Sequence, residues 1–146
     1  MQLTFYGLAF LAGLLLTVQV GLNSILGRAV GNFRFGVLMN FVVGLTGILL
    51  YFAATRTALP TRAGIAAVPA WAWFGGLLGA FYVAVATLVG PRIGAAALLA
   101  LTVLGQLIAS LLVDQHGWLG FGTQPITVAK LAGVALLVAG VGLIVR

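Results

Sequence analysis

The sequence predicts an all-α integral membrane protein, a bundle of five transmembrane helices. Of the 146 residues, 63% are apolar and only 5% are charged, whereas a soluble domain carries charges on about a quarter of its residues. The apolar residues fall in long runs, each close to the ~20 residues that a helix needs to cross a bilayer. Glycine, proline and arginine interrupt these runs, as expected where a chain leaves and re-enters the membrane.

The apolar runs predict the spans directly, within one transmembrane domain of residues 1–146. The first run has no basic residue before it and is longer than the apolar part of a cleaved secretory signal. We therefore interpret it as a membrane span. The predicted spans are residues 3–26, 35–53, 71–89, 93–113 and 126–145.

Residues 71–113 and the last span decide the predicted number of crossings. Residues 71–113 are about twice as long as one span, so a reversal is predicted at Gly90 and Pro91. So short a connection predicts that the third and fourth spans form an antiparallel pair. In the last span, 15 residues separate Lys130 from Arg146, so the Lys130 ammonium is expected to extend to the membrane surface. A four-span alternative would leave a long apolar tail in water.

Charged and reactive residues are too few and too scattered for several functions. The seven basic residues stand singly between apolar runs, whereas a nucleic-acid interface needs them clustered on one face. One Asp, one His and no cysteine supply neither a nucleophile with its base nor a metal cluster. We therefore expect no nucleic-acid partner, no enzymatic activity, and no metal or other cofactor. His116 is expected to be solvated in a loop.

The basic residues are nearly balanced across the predicted membrane. Three fall on the side of the N-terminus and four on the other side: Arg56, Arg62 and Lys130 against Arg28, Arg34, Arg92 and Arg146. An excess of Lys and Arg in cytoplasmic loops normally sets orientation, so this balance predicts insertion both ways round and an antiparallel homodimer. The alternative is that a local cluster, such as Arg28 with Arg34, fixes one orientation.

Glycines recur at spacings that allow close helix packing. Small residues on one helical face let backbones approach each other in lipid. We interpret the following pairs mainly as packing seams, with flexibility for transport as the alternative: Gly27 and Gly31, Gly75 and Gly79, Gly90 and Gly94, Gly44 and Gly47, and Gly133 and Gly140.

Polar side chains within the spans form the candidate substrate site. The fourth span has a polar residue at every fourth position, which puts them on one helical face: Thr102, Gln106, Ser110 and Asp114. A polar group in hydrocarbon needs a partner or water, so a converging set predicts a cavity. The residues expected to bind substrate are Gln19, Asn23, Asn40, Tyr82, Gln106 and Ser110. The alternative is that they only join helices, by hydrogen bonds worth about 0.6–2 kcal/mol each.

Asp114 and Trp73 are candidates for coupling or gating. Asp114 is the only acidic side chain and ends a helix, where the dipole disfavours an anion. An ion pair with Lys130 is its structural interpretation, and protonation or cation coordination is its functional one. Aromatic residues at span ends are typical membrane-interface anchors, but Trp73 lies slightly deeper and is the exception.

Several of these residues stand in patterns that resemble a known family. The patterns are Gln19-x3-Asn23, Trp73-x-Gly75-Gly76-x2-Gly79-x2-Tyr82, Pro91-x2-Gly94, Gly105-Gln106-x3-Ser110-x3-Asp114-x2-Gly117 and Leu131-Ala132-Gly133-Val134. Over nearly the whole chain they resemble the YdcZ-type small membrane proteins of the drug/metabolite transporter superfamily. The pattern in the fourth span is the most specific part.

The resemblance implies a five-helix protein of the bacterial inner membrane. It implies a dual-topology homodimer, a pair of oppositely oriented paralogues, or a fused ten-helix chain. It also implies transport, without naming a substrate. The small multidrug exporters of the same superfamily carry a glutamate in the first helix for proton and cation exchange. This chain has none, which argues against proton-coupled cation export through a central carboxylate.

The sequence therefore predicts a transporter that moves a small solute by alternating access at a dimer interface. Its expected partners are the lipid bilayer, a small-molecule substrate, and a second antiparallel copy or a homologous chain. The alternatives are a non-transporting membrane assembly subunit and a passive small-solute pore.

Overall fold

The structure is a computed structural model that describes residues 2–146, and every regular element in this range is helical, as predicted. The helices form two compact units, Met1–Pro91 and Arg92–Arg146. In chain order they are α1 (Gln2–Ala29), α2 (Phe33–Thr55), α3 (Arg62–Ala66), a 3-10 helix (Ala70–Phe74), α4 (Gly75–Ile93), α5 (Ala95–His116), a second 3-10 helix (Trp118–Gly120) and α6 (Val128–Ile144).

Four helical segments in the described range are long and apolar enough to cross a membrane. They are α1, α2, α4 with the 3-10 helix before it, and α5, with mean hydropathies from 1.8 to 2.3. The last helix, α6, is apolar but has 17 residues, which gives a length of about 26 Å against a hydrocarbon core of ~30 Å. The predicted fifth crossing therefore stays a prediction.

Few apolar side chains are buried within either unit. Most large apolar side chains point outward, as shown by exposed fractions of 70% at Leu78 and 74% at Leu136. Lipid tails are as apolar as leucine, so in a bilayer this outward-facing surface is solvated by lipid. The buried apolar residues of the described chain are Ala86, Ala97, Leu98 and Val141.

The α1–α2 hairpin depends on close contact between two backbones. A Cβ atom at Gly36 would lie 2.1 Å from the carbonyl oxygen of Asn23, and one at Gly27 would lie 2.8 Å from the Cα of Phe33. Both distances are too short for a side chain, so only glycine permits this approach. The two glycines therefore fix the register of α2 against α1.

The joint between α4 and α5 differs from the prediction. The predicted reversal at Gly90 and Pro91 is wrong, because α4 continues through both residues to Ile93. The helix breaks instead at Gly94, with φ 87° and ψ 153°, a conformation that glycine adopts without the steric cost of a Cβ. The antiparallel arrangement of the third and fourth spans stays a prediction.

Pro91 is tolerated inside α4 because a second helix compensates for the missing N–H. Without that N–H, the Thr87 carbonyl, four residues earlier, loses its helical donor. The Ser24 hydroxyl of α1 donates to this carbonyl at 3.4 Å and shares its hydrogen with the Val20 carbonyl at 2.8 Å. A side chain from a neighbouring helix commonly satisfies such a freed carbonyl in membrane proteins.

The connection from α2 to α4 contains more structure than the sequence predicted. The predicted spans leave residues 54–70 as an unassigned connection, and this connection includes α3. The hydroxyl of Thr61 caps α3 by accepting a hydrogen bond from the Gly64 N–H at 3.1 Å. The predicted start of the third span, residue 71, lies in the 3-10 helix that precedes α4.

The connection from α5 to α6 is tied back to the end of α5. The Asp114 carbonyl accepts hydrogen bonds from the N–H groups of Gly117 (3.3 Å) and Gln124 (2.8 Å). The side-chain oxygen of Gln115 accepts one from the Ile126 N–H at 2.7 Å. These bonds hold the connecting segment against the last turn of α5.

The hairpin contact gives a first prediction. Gly36→Ala forces a methyl group onto the Asn23 carbonyl, and overpacking of this kind costs roughly 1–3 kcal/mol. We expect a lower free energy of unfolding for the purified protein in detergent. The matched control is Gly13→Ala on α1 of the same hairpin, where a Cβ would meet nothing within 4 Å. Equal stability of the two variants would contradict a backbone contact at Gly36.

Candidate functional site

Three carboxamide side chains of α1 and α2 form one hydrogen-bonded cluster. The oxygen Oδ1 of Asn40 accepts two hydrogen bonds, from Gln19 Nε2 at 2.5 Å and from Asn23 Nδ2 at 3.2 Å. Asn23 is 5% exposed, and Gln19 and Asn40 are half-buried. The structure therefore brings together the three predicted amides of the first two spans.

Local geometry explains why these amides meet. Gln19 and Asn23 are four residues apart on α1, so they occupy one helical face. Gly36, four residues before Asn40, rests against the backbone of Asn23 and places the same face of α2 toward α1. The glycine contact thus positions Asn40 between the two amides of α1.

The cluster lines an open cavity of about 430 Å³ between α1 and α2. Its three polar side chains are the cluster itself, and none of its lining residues is ionisable. We call this cavity the carboxamide groove. The apolar side chains of its wall are Leu15, Val18, Leu22, Leu26, Met39 and Val43.

A second cavity, of about 260 Å³, lies along the polar face of α5. Gln106, Ser110 and Asp114 line it, together with Leu119 and Phe121 of the segment after α5. Gln106 and Ser110 are exposed, and Asp114 is half-buried. The fourfold spacing thus places these three side chains on one face, beside apolar residues of the following segment.

Tyr82 and Trp73 line neither of these two cavities. The Tyr82 hydroxyl is buried and has no hydrogen-bond partner in residues 2–146. Trp73 is 61% exposed in the 3-10 helix before α4. Their predicted roles in substrate binding and gating stay predictions.

Charged groups near the end of α5 bond mainly to backbone. The ammonium group of Lys130 donates to the Pro125 carbonyl at 3.2 Å. The ring of His116 hydrogen-bonds the Leu112 carbonyl at 2.9 Å and stacks on Trp118 at a centroid distance of 4.5 Å. The expected pair between Asp114 and Lys130, like the expected coupling role of Asp114, stays a prediction.

Sequence reasoning missed Ser24 and Thr87. Both are buried, and they join α1 to α4 through the carbonyl that Pro91 leaves without a donor. The signal was present in the sequence, because a proline inside a helix frees the carbonyl four residues earlier. The earlier interpretation of Pro91 as a turn residue concealed it.

The described residues offer no metal centre. Among residues 2–146, no group of three or more His, Cys, Asp or Glu side chains could hold a metal ion. The polar chemistry of both cavities therefore consists of amides, one hydroxyl and one carboxylate.

The long apolar helices define the class of the protein, a multi-pass membrane protein with polar side chains inside its spans. A family model described as "Putative inner membrane exporter, YdcZ" matches residues 4–143. The chain belongs to this YdcZ family, which confirms the resemblance. No curated protein and no solved structure matches the chain significantly.

Membership of the family supports a function in general terms. The description of the family supports a membrane transporter in the broad sense. Export is a non-enzymatic kind of function, in agreement with the expectation drawn from the few reactive residues.

The carboxamide cluster gives a second prediction. Asn40→Leu removes the acceptor of two hydrogen bonds at once and leaves two amides unpaired, at a cost of about 1–3 kcal/mol. We expect a lower free energy of unfolding in detergent. A double-mutant cycle that combines Asn40→Leu with Gln19→Leu should give a coupling energy near 1 kcal/mol. Thr46→Val on α2, whose hydroxyl donates to the Val42 carbonyl of its own helix, is the control and should leave stability unchanged. Zero coupling would show that Gln19 and Asn40 do not interact.

Proposed function

We propose that the chain carries a small solute across the membrane by alternating access and that the carboxamide groove is its substrate site. One observation carries the proposal: Asn40 joins Gln19 and Asn23 beside an open cavity. If these amides served only to hold two helices together, no adjoining cavity would be needed. Tyr82, Gln106 and Ser110 are proposed as further contributors to solute binding.

The hydrogen-bond donors and acceptors that the cluster leaves unused support this proposal. Each carboxamide has two N–H donors and a carbonyl with two lone pairs. The two internal hydrogen bonds use one N–H of Gln19, one of Asn23, and the Asn40 carbonyl. Both N–H groups of Asn40, the second N–H of Gln19 and of Asn23, and the carbonyls of Gln19 and Asn23 remain for a ligand or water. A polar solute in the groove would satisfy them.

A second copy of the chain is part of the proposal. Gln106 and Ser110 are exposed within α5, and exposure of such groups to lipid is unfavourable. An antiparallel partner would cover this face, and the near balance of basic residues permits insertion in both orientations. A homologous chain of opposite orientation would serve equally. The bacterial inner membrane is the proposed location.

The second cavity supports a coupling or gating role for Asp114. A half-buried carboxylate beside Gln106 and Ser110 can take up a proton or hold a cation, and it lies near the end of a helix. This site is distinct in its lining residues from the carboxamide groove.

Counterflow tests transport in the third prediction. Proteoliposomes preloaded with an unlabelled solute should accumulate the labelled form of the same solute, in a screen of radiolabelled amides, alcohols, amino acids and organic cations. For the solute that responds, uptake should saturate. Asn40→Leu and Gln19→Leu should each lower it about five- to tenfold, the value of one lost hydrogen bond.

The control for counterflow is Thr46→Val on α2, because the Thr46 hydroxyl bonds only its own helix, at the Val42 carbonyl, and lines neither cavity. Flux that never saturates would indicate a passive pore. Absence of flux for every tracer, with unchanged cellular phenotypes for Gln106→Ala and Asn23→Ala, would favour an assembly subunit.

Cysteine labelling tests the proposed dual topology in the fourth prediction. The chain has no cysteine, so Val30→Cys in the α1–α2 connection and Gly122→Cys in the α5–α6 connection each introduce one thiol. In a population of mixed orientation, a membrane-impermeant maleimide should label about half of each variant in intact cells and the rest after permeabilisation. Labelling of each variant from one side only would exclude dual topology.

A further inference from the structure

We infer that the solute of the carboxamide groove is neutral and amphipathic, with a head group that both donates and accepts hydrogen bonds and with a compact apolar body. A primary carboxamide or an alcohol has such a head. The inference rests on the proposed function and narrows its substrate class.

The absence of charge from the groove wall is the first argument. The side chains that line the groove are amides or apolar, with no ionisable group among them. Moving a charged head into such surroundings without a countercharge costs several kcal/mol, whereas a neutral polar head needs only hydrogen bonds. The groove therefore favours a neutral ligand over a cation or an anion of the same shape.

The unused hydrogen-bond donors and acceptors of the cluster define the head group of the solute. Asn40 offers N–H donors, while the carbonyls of Gln19 and Asn23 offer acceptors, because the internal bonds use the Asn40 oxygen and one N–H each of Gln19 and Asn23. A head that only donates or only accepts would leave part of this set unpaired in a low-dielectric site, which is unfavourable. A head that does both satisfies it.

The remaining wall defines the body of the ligand. Leucine, valine and methionine side chains line the groove beside the amides, so an apolar body gains favourable contacts there. The cavity of about 430 Å³ admits a ring or a short alkyl chain. Met39 adds a flexible side chain that adapts to bodies of different shape.

The second cavity provides a contrast within the same chain. The one acidic side chain of the sequence, Asp114, lines that cavity and is not among the residues of the carboxamide groove. A cation is therefore expected to favour the surroundings of Asp114, and the groove keeps its preference for neutral heads.

Three probes with one shape and different charge test the inference: benzamide, benzamidinium and benzoate. Ligand-observed NMR at pH 7 measures their dissociation constants for the full-length protein in lipid nanodiscs, with empty nanodiscs to subtract partition into lipid. Benzamide should bind at least about tenfold more tightly than either charged analogue, because the groove holds no countercharge.

Two variants tie the signal to the groove. Asn40→Leu removes the central amide, and Val43→Phe fills the cavity without altering the cluster, so each should lower benzamide affinity about tenfold. Val42→Phe is the matched control, because Val42 is the neighbouring residue of α2 and does not line the groove. It should bind benzamide as the unmodified chain does.

The outcomes separate the inference from the proposed function. A charged probe could bind as tightly as benzamide, with its binding weakened by both Asn40→Leu and Val43→Phe. In that case the inference of a neutral solute is wrong, while the proposed site stands. If no probe binds in a manner that depends on Asn40 or Val43, both the inference and the proposed site are wrong. Binding of benzamide alone, lost in both variants, supports both.

Discussion

The constraint on which this structure depends is the high free-energy cost of an unpaired carboxamide in hydrocarbon. Gln19, Asn23 and Asn40 lie within helices long and apolar enough to cross a membrane, so each needs hydrogen-bonding partners that lipid cannot supply. They meet this need partly by bonding to one another through a single carbonyl oxygen. This pairing is incomplete and leaves donors and acceptors beside an open groove, and the proposed substrate site rests on them.

A related cost, that of an unpaired backbone carbonyl in hydrocarbon, explains a second polar contact of α1. Pro91 leaves a carbonyl of α4 without its helical donor, and the hydroxyl of Ser24 compensates from α1. Ser24 directly follows Asn23 in sequence, so adjacent residues of α1 serve two neighbours: Asn23 bonds α2 and Ser24 bonds α4. One turn of α1 thus connects three helices through backbone and side-chain polar groups. Few apolar side chains of the described chain are buried.

Composition and periodicity were sufficient for the helical class and for the approximate position of each long helix, because lipid imposes both apolarity and length. They also identified the amides that cluster, since a spacing of four residues puts Gln19 and Asn23 on one face whatever surrounds them. The same reasoning gave a wrong prediction at Pro91, which lies inside α4. Whether a proline ends a helix or remains inside it depends on a donor that is distant in sequence, here Ser24, and spacing along α4 does not reveal it. The pairing of Asn40 with both amides likewise required the register of two helices, which depends on Gly36.

The contact between Gly36 and the Asn23 carbonyl also bears on how such a protein can move. Two backbones that touch without intervening side chains interlock, so α1 and α2 cannot slide past each other without steric overlap. The hairpin is therefore best treated as one rigid body in any working cycle. In the proposed alternating-access cycle, the motion that opens the groove first to one side and then to the other would arise from hinges outside this hairpin, and the glycine break at Gly94 has the backbone freedom to serve as one.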